Sequence, residues 1–195
     1  MGRLRRDFYR RSTLTVAREL LGKRLVSVMG GQRLSGLIVE VEAYIGEGDA
    51  ACHAARGRTP RNEAMYGPPG HAYVYFIYGM HHCLNAVTEE EGFPAAVLIR
   101  ALDPLEGLEI MRRHRLGKPD RELTNGPAKL CQAMAVARGF NGVDLCIGEV
   151  LFIEEGRIVA QEEIGASPRI GIKASEVARS VPWRFYLQGN DFVSR

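Results

Sequence analysis

Two carboxylates stand two positions apart in the run GLIVEVE, residues 36–42, and the second closes the apolar pattern. On a regular β-strand, residues two apart share a face, so Glu40 and Glu42 are predicted to lie about 7 Å apart on one side. A carboxylate at a strand end, beside a loop, can face a pocket that tunes it for acid–base chemistry. The same spacing also fits two solvated side chains on the wet face of a half-exposed strand.

A second candidate group is aromatic and lies in the stretch HAYVYFIYGM, residues 71–80. Strand alternation places Tyr75 and Tyr78 on opposite faces. Both can serve one site only if the chain bends near Gly79, which has no side chain to oppose a bend. An aromatic strand that only fills a core is the simpler alternative.

Histidines and cysteines occur close together in the sequence at two places, Cys52-His53 and His81-His82-Cys83. These groupings lack the spacing of known zinc sites, and adjacent residues rarely ligate one ion well. We therefore expect no metal site, and we interpret His53 as a hydrogen-bonding or structural residue of its loop.

Three further polar residues stand in mostly apolar contexts. Asn85 and Arg100 lie inside predicted strands, where they either face solvent or need buried partners. Lys129 lies in the first turn of a predicted helix, where a cation beside free backbone N–H groups can help to hold a phosphate.

Composition places the chain among ordinary globular proteins. Of its 195 residues, 46% are hydrophobic and 25% are charged, which suits one domain with a substantial core. No apolar run approaches the ~18–20 residues of a membrane span, and the N-terminus lacks the apolar core of a secretory signal. Four scattered cysteines predict a reducing compartment without disulfides. We expect a protein of the cytoplasm or nucleoid, or of the nucleus in a eukaryote, and not a secreted one.

The net charge of +3 is unevenly distributed. Residues 1–24 hold eight Arg and Lys side chains against two acidic ones, so the rest of the chain is net negative. A basic segment can attract a polyanion, although such arms are often only solvated.

The periodicity predicts helices and strands without regular strand–helix alternation. Helices are predicted from Ser12 to Gly22, over 105–114, and in the segment 124–138, with Thr124 or Asn125 as cap and Pro127 in the first turn. Strands are predicted at 24–28, 34–46, 73–78, 83–87, 95–102, 149–156, 169–174 and 183–189. Residues 45–70 are predicted to form a long ordered loop, and 112–126 a polar excursion. The prediction is an α+β fold: one compact domain, 1–195, on a curved, largely antiparallel sheet with flanking helices and a short basic arm at about 1–11.

Taken in order, several blocks of the sequence resemble one family. They are VEVEAYIG, the Cys52-His53 loop, RTPRNEAMYGPPG, YVYFIYGM, CLNAV, VLIRALDPLEG, NGPAKL and RFYL. This series is similar to the alkyladenine (3-methyladenine) DNA glycosylases of the mammalian type, which lack a helix-hairpin-helix. The resemblance runs from about residue 7 to the C-terminus.

The resemblance implies a single-domain, monomeric base-excision-repair enzyme without metal or cofactor. Such an enzyme takes an alkylated or deaminated purine out of duplex DNA and hydrolyses its N-glycosidic bond, leaving an abasic site. No lysine is expected to attack the sugar, so no strand cleavage is expected.

The resemblance also assigns roles to individual positions. Glu42 resembles the general base and Arg100 a residue beside the catalytic water. The other matching positions are the base pocket (Tyr44, His53, Tyr75), a residue that discriminates against guanine's amine (Asn85), the wedge that enters the duplex (Tyr78) and DNA-contact positions (Met65, Met80). A non-catalytic nucleic-acid binding module and a metal-dependent hydrolase are the alternatives.

Overall fold

The computed structural model describes residues 2–194. Its strands are β1 (Arg24–Met29), β2 (Gln32–Ile45), β3 (Ala72–Ile77), β4 (His81–Val87), β5 (Ala95–Glu106), β6 (Leu151–Glu154), β7 (Ile164–Ser167) and β8 (Arg184–Leu187). Its α-helices are α1 (Arg6–Tyr9), α2 (Thr13–Leu20), α3 (Leu108–His114), α4 (Pro127–Ala133) and α5 (Glu176–Ser180). All strand pairs are antiparallel, so the predicted α+β class is confirmed.

Strand β2 is the centre of the sheet. Strand β5 pairs along one side of it, while β1 and β8 share the other side, with β1 beside its first half and β8 beside residues 40–42. The sheet order is β3-β4-β5-β2-β1-β6, and β7 extends it beyond β8. The pairing of β2 with β5 is irregular on either side of Glu40, as expected where a strand bulges and bends.

The helices cover the apolar face of the sheet. Ser12 caps α2, its side-chain oxygen accepting from the Thr15 N–H, as predicted. Helix α4 differs from the prediction, because its N-cap is Gly126 and neither Thr124 nor Asn125 caps it. Thr124 instead donates to the Leu102 carbonyl at 2.6 Å, and Asn125 accepts from Lys129 at 2.8 Å.

The segment 169–174 is not a strand, which corrects the sequence prediction. The strand of this region, β7, ends at Ser167, just before Pro168. Gly171 adopts φ +75°, and the Ile170 N–H donates to a side chain instead of a strand. A proline and a left-handed glycine therefore override the alternating apolar pattern.

Both the loop 45–70, which was predicted to be ordered, and the basic N-terminal segment pack against the rest of the domain. Loop 45–70 contains two short 3-10 helices, and buried Asn62 ties them together through the carbonyls of His53 and Gly57. In the basic N-terminal segment, Leu4 and Tyr9 are buried in the main core. Within residues 2–194, no helix has the length and apolarity to cross a membrane.

Ile99 of β5 is fully buried, whereas Ile158 is 92% exposed. We expect Ile99→Ala to lower the free energy of unfolding by about 2–5 kcal/mol, because it leaves a cavity in the core. Ile158→Ala makes the same chemical change at the surface and should stay within about 0.5 kcal/mol of wild type. Equilibrium denaturation measures both, and similar losses would contradict the assigned core.

Candidate active site

A cavity of about 490 Å³ opens between the β3–β4 hairpin, loop 45–70 and the segment 170–174. Its volume falls in the range of small-molecule sites. The aromatic and polar residues of its wall include Tyr44, His53, Tyr73, Tyr75, Tyr78, Asn85, Arg100 and Lys173. The structure thus brings most of the predicted site residues to one place.

Glu42 adjoins this cavity and is fully buried, which contradicts the solvated-face alternative. Its Oε1 accepts from the Ile170 N–H at 2.7 Å and lies 3.1 Å from Arg100 Nη1. Its Oε2 accepts from the Tyr44 hydroxyl at 2.8 Å. All three partners line the cavity. A carboxylate has about four acceptor sites, so these contacts orient it and leave one for a further donor.

Glu40 is also fully buried and completes a four-charge cluster. Arg100 Nε and Arg184 Nε donate to its Oε1 at 2.8 and 2.7 Å. Ser194 donates to it through both its backbone N–H and its hydroxyl. Two carboxylates and two guanidinium groups therefore neutralise each other inside the sheet.

The hydroxyl of Tyr44 stays protonated at neutral pH. Burial raises the pKa of Tyr44, and the adjacent Glu42 carboxylate raises it further. The ring packs against the buried Arg169 guanidinium, 4.7 Å from its centre. Tyr44 is therefore a fixed hydrogen-bond donor to Glu42.

Three aromatic rings form one side of the cavity. His53 Nδ1 lies 2.8 Å from the Tyr73 hydroxyl, and its ring stands edge-on to Tyr75 with centroids 4.5 Å apart. The surrounding protein and then the charge of Arg61 lower the pKa of His53, which favours its neutral form. A neutral imidazole offers one donor and one acceptor.

Asn85 and Met65 also line the cavity and are almost fully buried, with 3% and 2% of their surfaces exposed. The Asn85 amide donates to the Tyr73 carbonyl at 2.9 Å across the β3–β4 pair. Met65 belongs to a small apolar cluster with Tyr73 and is not on the outer surface.

Tyr78 projects from the tip of the β3–β4 hairpin. Tyr78 and Gly79 have φ +51° and +68°, and the Met80 N–H donates to the Ile77 carbonyl. Two successive positive φ angles are typical of a type I′ hairpin turn, where Asn and Gly are preferred to Tyr. The predicted bend is confirmed: Tyr75 and Tyr78 line one cavity, and the Tyr78 side chain is 84% exposed.

Two predicted residues lie outside this cavity. Met80 is 69% exposed and borders a separate depression beside α4. Lys129 lines another depression with Arg121 and Asp191, and its ammonium donates to Asn125. Among residues 2–194, no group of three or more His, Cys, Asp or Glu side chains is arranged to hold a metal ion.

The sequence interpretation missed the segment that closes the cavity. Arg169 is buried and bonds both oxygens of Asp49 as well as the Ala43 carbonyl, which anchors the segment beside β2. The next residue supplies the N–H that orients Glu42. Because the alternating pattern of 169–174 predicts a strand, only Pro168 and Gly171 could have indicated that the chain turns here.

Glu40 should make the stability of the protein depend on pH. Burial alone would raise the pKa of Glu40, but the Arg100 charge and bonds from Arg184 and Ser194 hold it below its ordinary value. A lowered folded-state pKa contributes stability above the unfolded pKa of about 4.3, and this contribution is lost as the pH falls through the folded pKa. Glu40→Gln should therefore cost about 3–5 kcal/mol at pH 7, because it breaks a buried ion pair.

Thermal melts of wild type and Glu40→Gln between pH 7 and pH 3 measure this effect. The difference in Tm should narrow as the pH falls below the unfolded pKa of about 4.3, because the carboxylate then gains a proton in the unfolded wild type more readily than in the folded state. Glu90→Gln removes a carboxylate from an exposed pair with Arg10 and serves as control. A gap that stays constant with pH would show that folding does not lower the pKa of Glu40.

Comparisons with known proteins agree with this geometry. The family model described as methylpurine-DNA glycosylase matches residues 7–191. Proteins named "Putative 3-methyladenine DNA glycosylase" from Methanocella arvoryzae and Carboxydothermus hydrogenoformans are each 52% identical to this chain. The alignments cover 98% of this chain in both cases, and 96% and 98% of the respective relatives. A relative with the same name from Desulfitobacterium hafniense is 49% identical, over 100% of this chain and 99% of its own.

These matches extend over nearly the whole chain, and the matched region contains every residue of the cavity wall. The order of the sequence blocks and the enclosed carboxylate beside an aromatic cavity agree with these matches. This chain belongs to the methylpurine-DNA glycosylase family.

Proposed function

We propose that this protein removes damaged purines from duplex DNA by hydrolysing the N-glycosidic bond with a water molecule activated by Glu42. The observation that supports the proposal most directly is the set of contacts around Glu42. The carboxylate is oriented by Arg100, Tyr44 and the Ile170 N–H beside a cavity of the size of a small ligand.

The base has to leave the DNA stack before it can enter the cavity, at a cost of a few kcal/mol. Tyr44, Tyr75 and His53 offer flat faces and polar edges to the extruded base, and stacking returns about 1–3 kcal/mol per base. Tyr78, at the exposed hairpin tip, fills the space that the base vacates. Asn85 stands in the wall where it can exclude guanine's exocyclic amine.

In the chemical step, the bond between the purine nitrogen and C1′ breaks, and its electron pair leaves with the base. The sugar becomes cationic in the transition state, and the negative charge of Glu42 stabilises it. The water oxygen bonds to C1′ while its proton passes to Glu42, a contribution worth about 10²–10⁴-fold. Arg100 holds the Glu42 carboxylate in place.

The remaining predicted residues are assigned to contacts with the DNA duplex or with the extruded base. Met80 lies beside the hairpin tip and contacts the duplex next to Tyr78. Lys129 contacts a phosphate, while Met65 serves the base cavity from within. The protein acts as a monomer and releases the base without cutting the strand.

The central test uses duplexes that carry one hypoxanthine or one ethenoadenine, incubated with the protein in chelator and then treated with hot alkali. We expect cleavage only after alkali, and at least about 10²-fold less of it for Glu42→Gln because the general base is lost. Glu163→Gln replaces a surface carboxylate paired with Arg157 and should leave the rate unchanged.

Binding of the same duplexes distinguishes the alternatives. Glu42→Gln should still bind damaged duplex, since the wedge and the aromatic wall remain. Full turnover by this variant would remove Glu42 from its assigned role. Binding without base release from these duplexes or from methylated DNA would instead identify a non-catalytic binding module.

Tyr78→Ala should weaken binding of damaged duplex by about 1–3 kcal/mol, the value of one lost stacking contact. Its Tm should change by no more than about 2 °C, because the side chain is exposed and surface substitutions have small effects. Tyr78→Phe keeps the ring and is the matched control. A Tm loss of ~10 °C or more for Tyr78→Ala would mark the ring as part of the core.

A further inference from the structure

Lys173 carries a positive charge at the wall of the cavity. It lies three residues after Ile170, whose N–H contacts Glu42, so the anchored segment that orients the carboxylate also presents the lysine. Lys173 is exposed and forms no hydrogen bond or ion pair with any residue of the described range 2–194.

The buried formal charges beside the cavity are neutralised, whereas Arg61, which is not a wall residue, acts on His53 from outside the cavity. Glu40 and Glu42 are matched by Arg100 and Arg184 within the sheet. The buried Asp49 and Arg169 form a second neutral pair behind Tyr44.

The remaining titratable groups of the wall favour their neutral forms. The pKa of His53 is lowered, and burial raises the pKa of Cys52 to about 11 and that of Cys83 above its ordinary value. Among the wall residues within 2–194, Lys173 therefore supplies the one uncompensated charge.

We propose that Lys173 is a specificity-determining residue that favours neutral damaged purines over cationic ones. This inference rests on the proposed glycosylase function and adds a substrate preference to it. Alkylation of a ring nitrogen leaves a purine nucleotide positively charged, whereas a deaminated or etheno-bridged purine is neutral. The Lys173 ammonium repels the first class and can donate a hydrogen bond to the second.

Two features of the cavity act in opposite directions. The faces of Tyr44 and Tyr75 attract a cationic base through cation–π interaction. Lys173 opposes that attraction without affecting stacking, which neutral and charged bases share. Repulsion between two unit charges a few Å apart near solvent predicts a discrimination of about three- to tenfold.

The test compares wild type with Lys173→Gln and Lys173→Glu on two substrates. Base release is measured as kcat/KM from a duplex with one 7-methylguanine, which is cationic, and from the same duplex with one hypoxanthine. Lys118→Gln removes an exposed lysine outside this cavity and is the matched control. Comparing each variant with wild type cancels any fixed effect of Asn85 on the guanine amine.

We expect the ratio of cationic to neutral turnover to rise about three- to tenfold in Lys173→Gln. The ratio should rise further in Lys173→Glu and remain unchanged in Lys118→Gln. In wild type, added salt should raise the same ratio, because it screens the lysine. Melting temperatures close to wild type would show that the variants are folded.

Two results would overturn the inference. An unchanged ratio would show that Lys173 does not sense the charge of the base. An equal loss on both substrates would identify Lys173 as a phosphate contact instead. Equilibrium binding of the same duplexes gives the corresponding ratio of affinities without any turnover. It therefore still decides the role of Lys173 if wild type releases no base and the proposed function fails.

Discussion

The buried cluster of Glu40, Glu42, Arg100 and Arg184 is the interaction on which the rest of the site depends. Two carboxylates that are two residues apart on one strand can both be fully buried only if two cations and further hydrogen bonds replace the water that they lose. Arg100 comes from β5 and Arg184 from β8, so the cluster joins three strands through their side chains. The position of Glu42 is therefore determined by the pairing of the sheet.

The two carboxylates of the cluster have different hydrogen-bond partners, and their roles differ accordingly. Glu40 accepts from two arginines and from Ser194, and it has a structural role. Glu42 shares only Arg100 and takes its other bonds from residues of the cavity wall. Glu40 thus fixes Arg100, and Arg100 in turn fixes Glu42 beside the cavity.

The hairpin of β3 and β4 combines a buried base with an exposed tip. Its base is buried through Tyr73 and Asn85, whereas its tip holds Tyr78 in a left-handed conformation that is unfavourable for this residue type. Such strain persists where the surrounding structure imposes it, and it is concentrated at functional sites. A ring exposed at the tip of a hydrogen-bonded hairpin supports the proposed insertion into a stacked duplex, because a paired hairpin loses less conformational freedom on binding than a mobile loop.

Much of the architecture follows from local sequence patterns. Apolar periodicity and turn residues identify β1, β2, β5 and α2, and the ordered sequence blocks identify the family before any contact is known. The incorrect predictions also come from local sequence patterns. The alternation in 169–174 predicts a strand, but Pro168 and Gly171 divert the chain. The Ile170 N–H therefore donates to the Glu42 carboxylate and not to a neighbouring strand. The cap of α4 was wrong because Thr124 and Asn125 have tertiary partners that local sequence does not reveal.

The sequence by itself determined which residues are available for chemistry: a carboxylate at a strand end, an aromatic hairpin ending in Tyr-Gly, and polar residues within apolar strands. Only the tertiary structure decided that Glu40 and Glu42 are buried, that Arg100 joins them, and that Ser194, from the far end of the chain, closes the cluster. It also placed Lys173 at the cavity wall, without a hydrogen-bond or ion-pair partner among residues 2–194. The physical reason is that burial and charge compensation depend on contacts between segments far apart in sequence, whereas periodicity reports only on the chain's nearest neighbours.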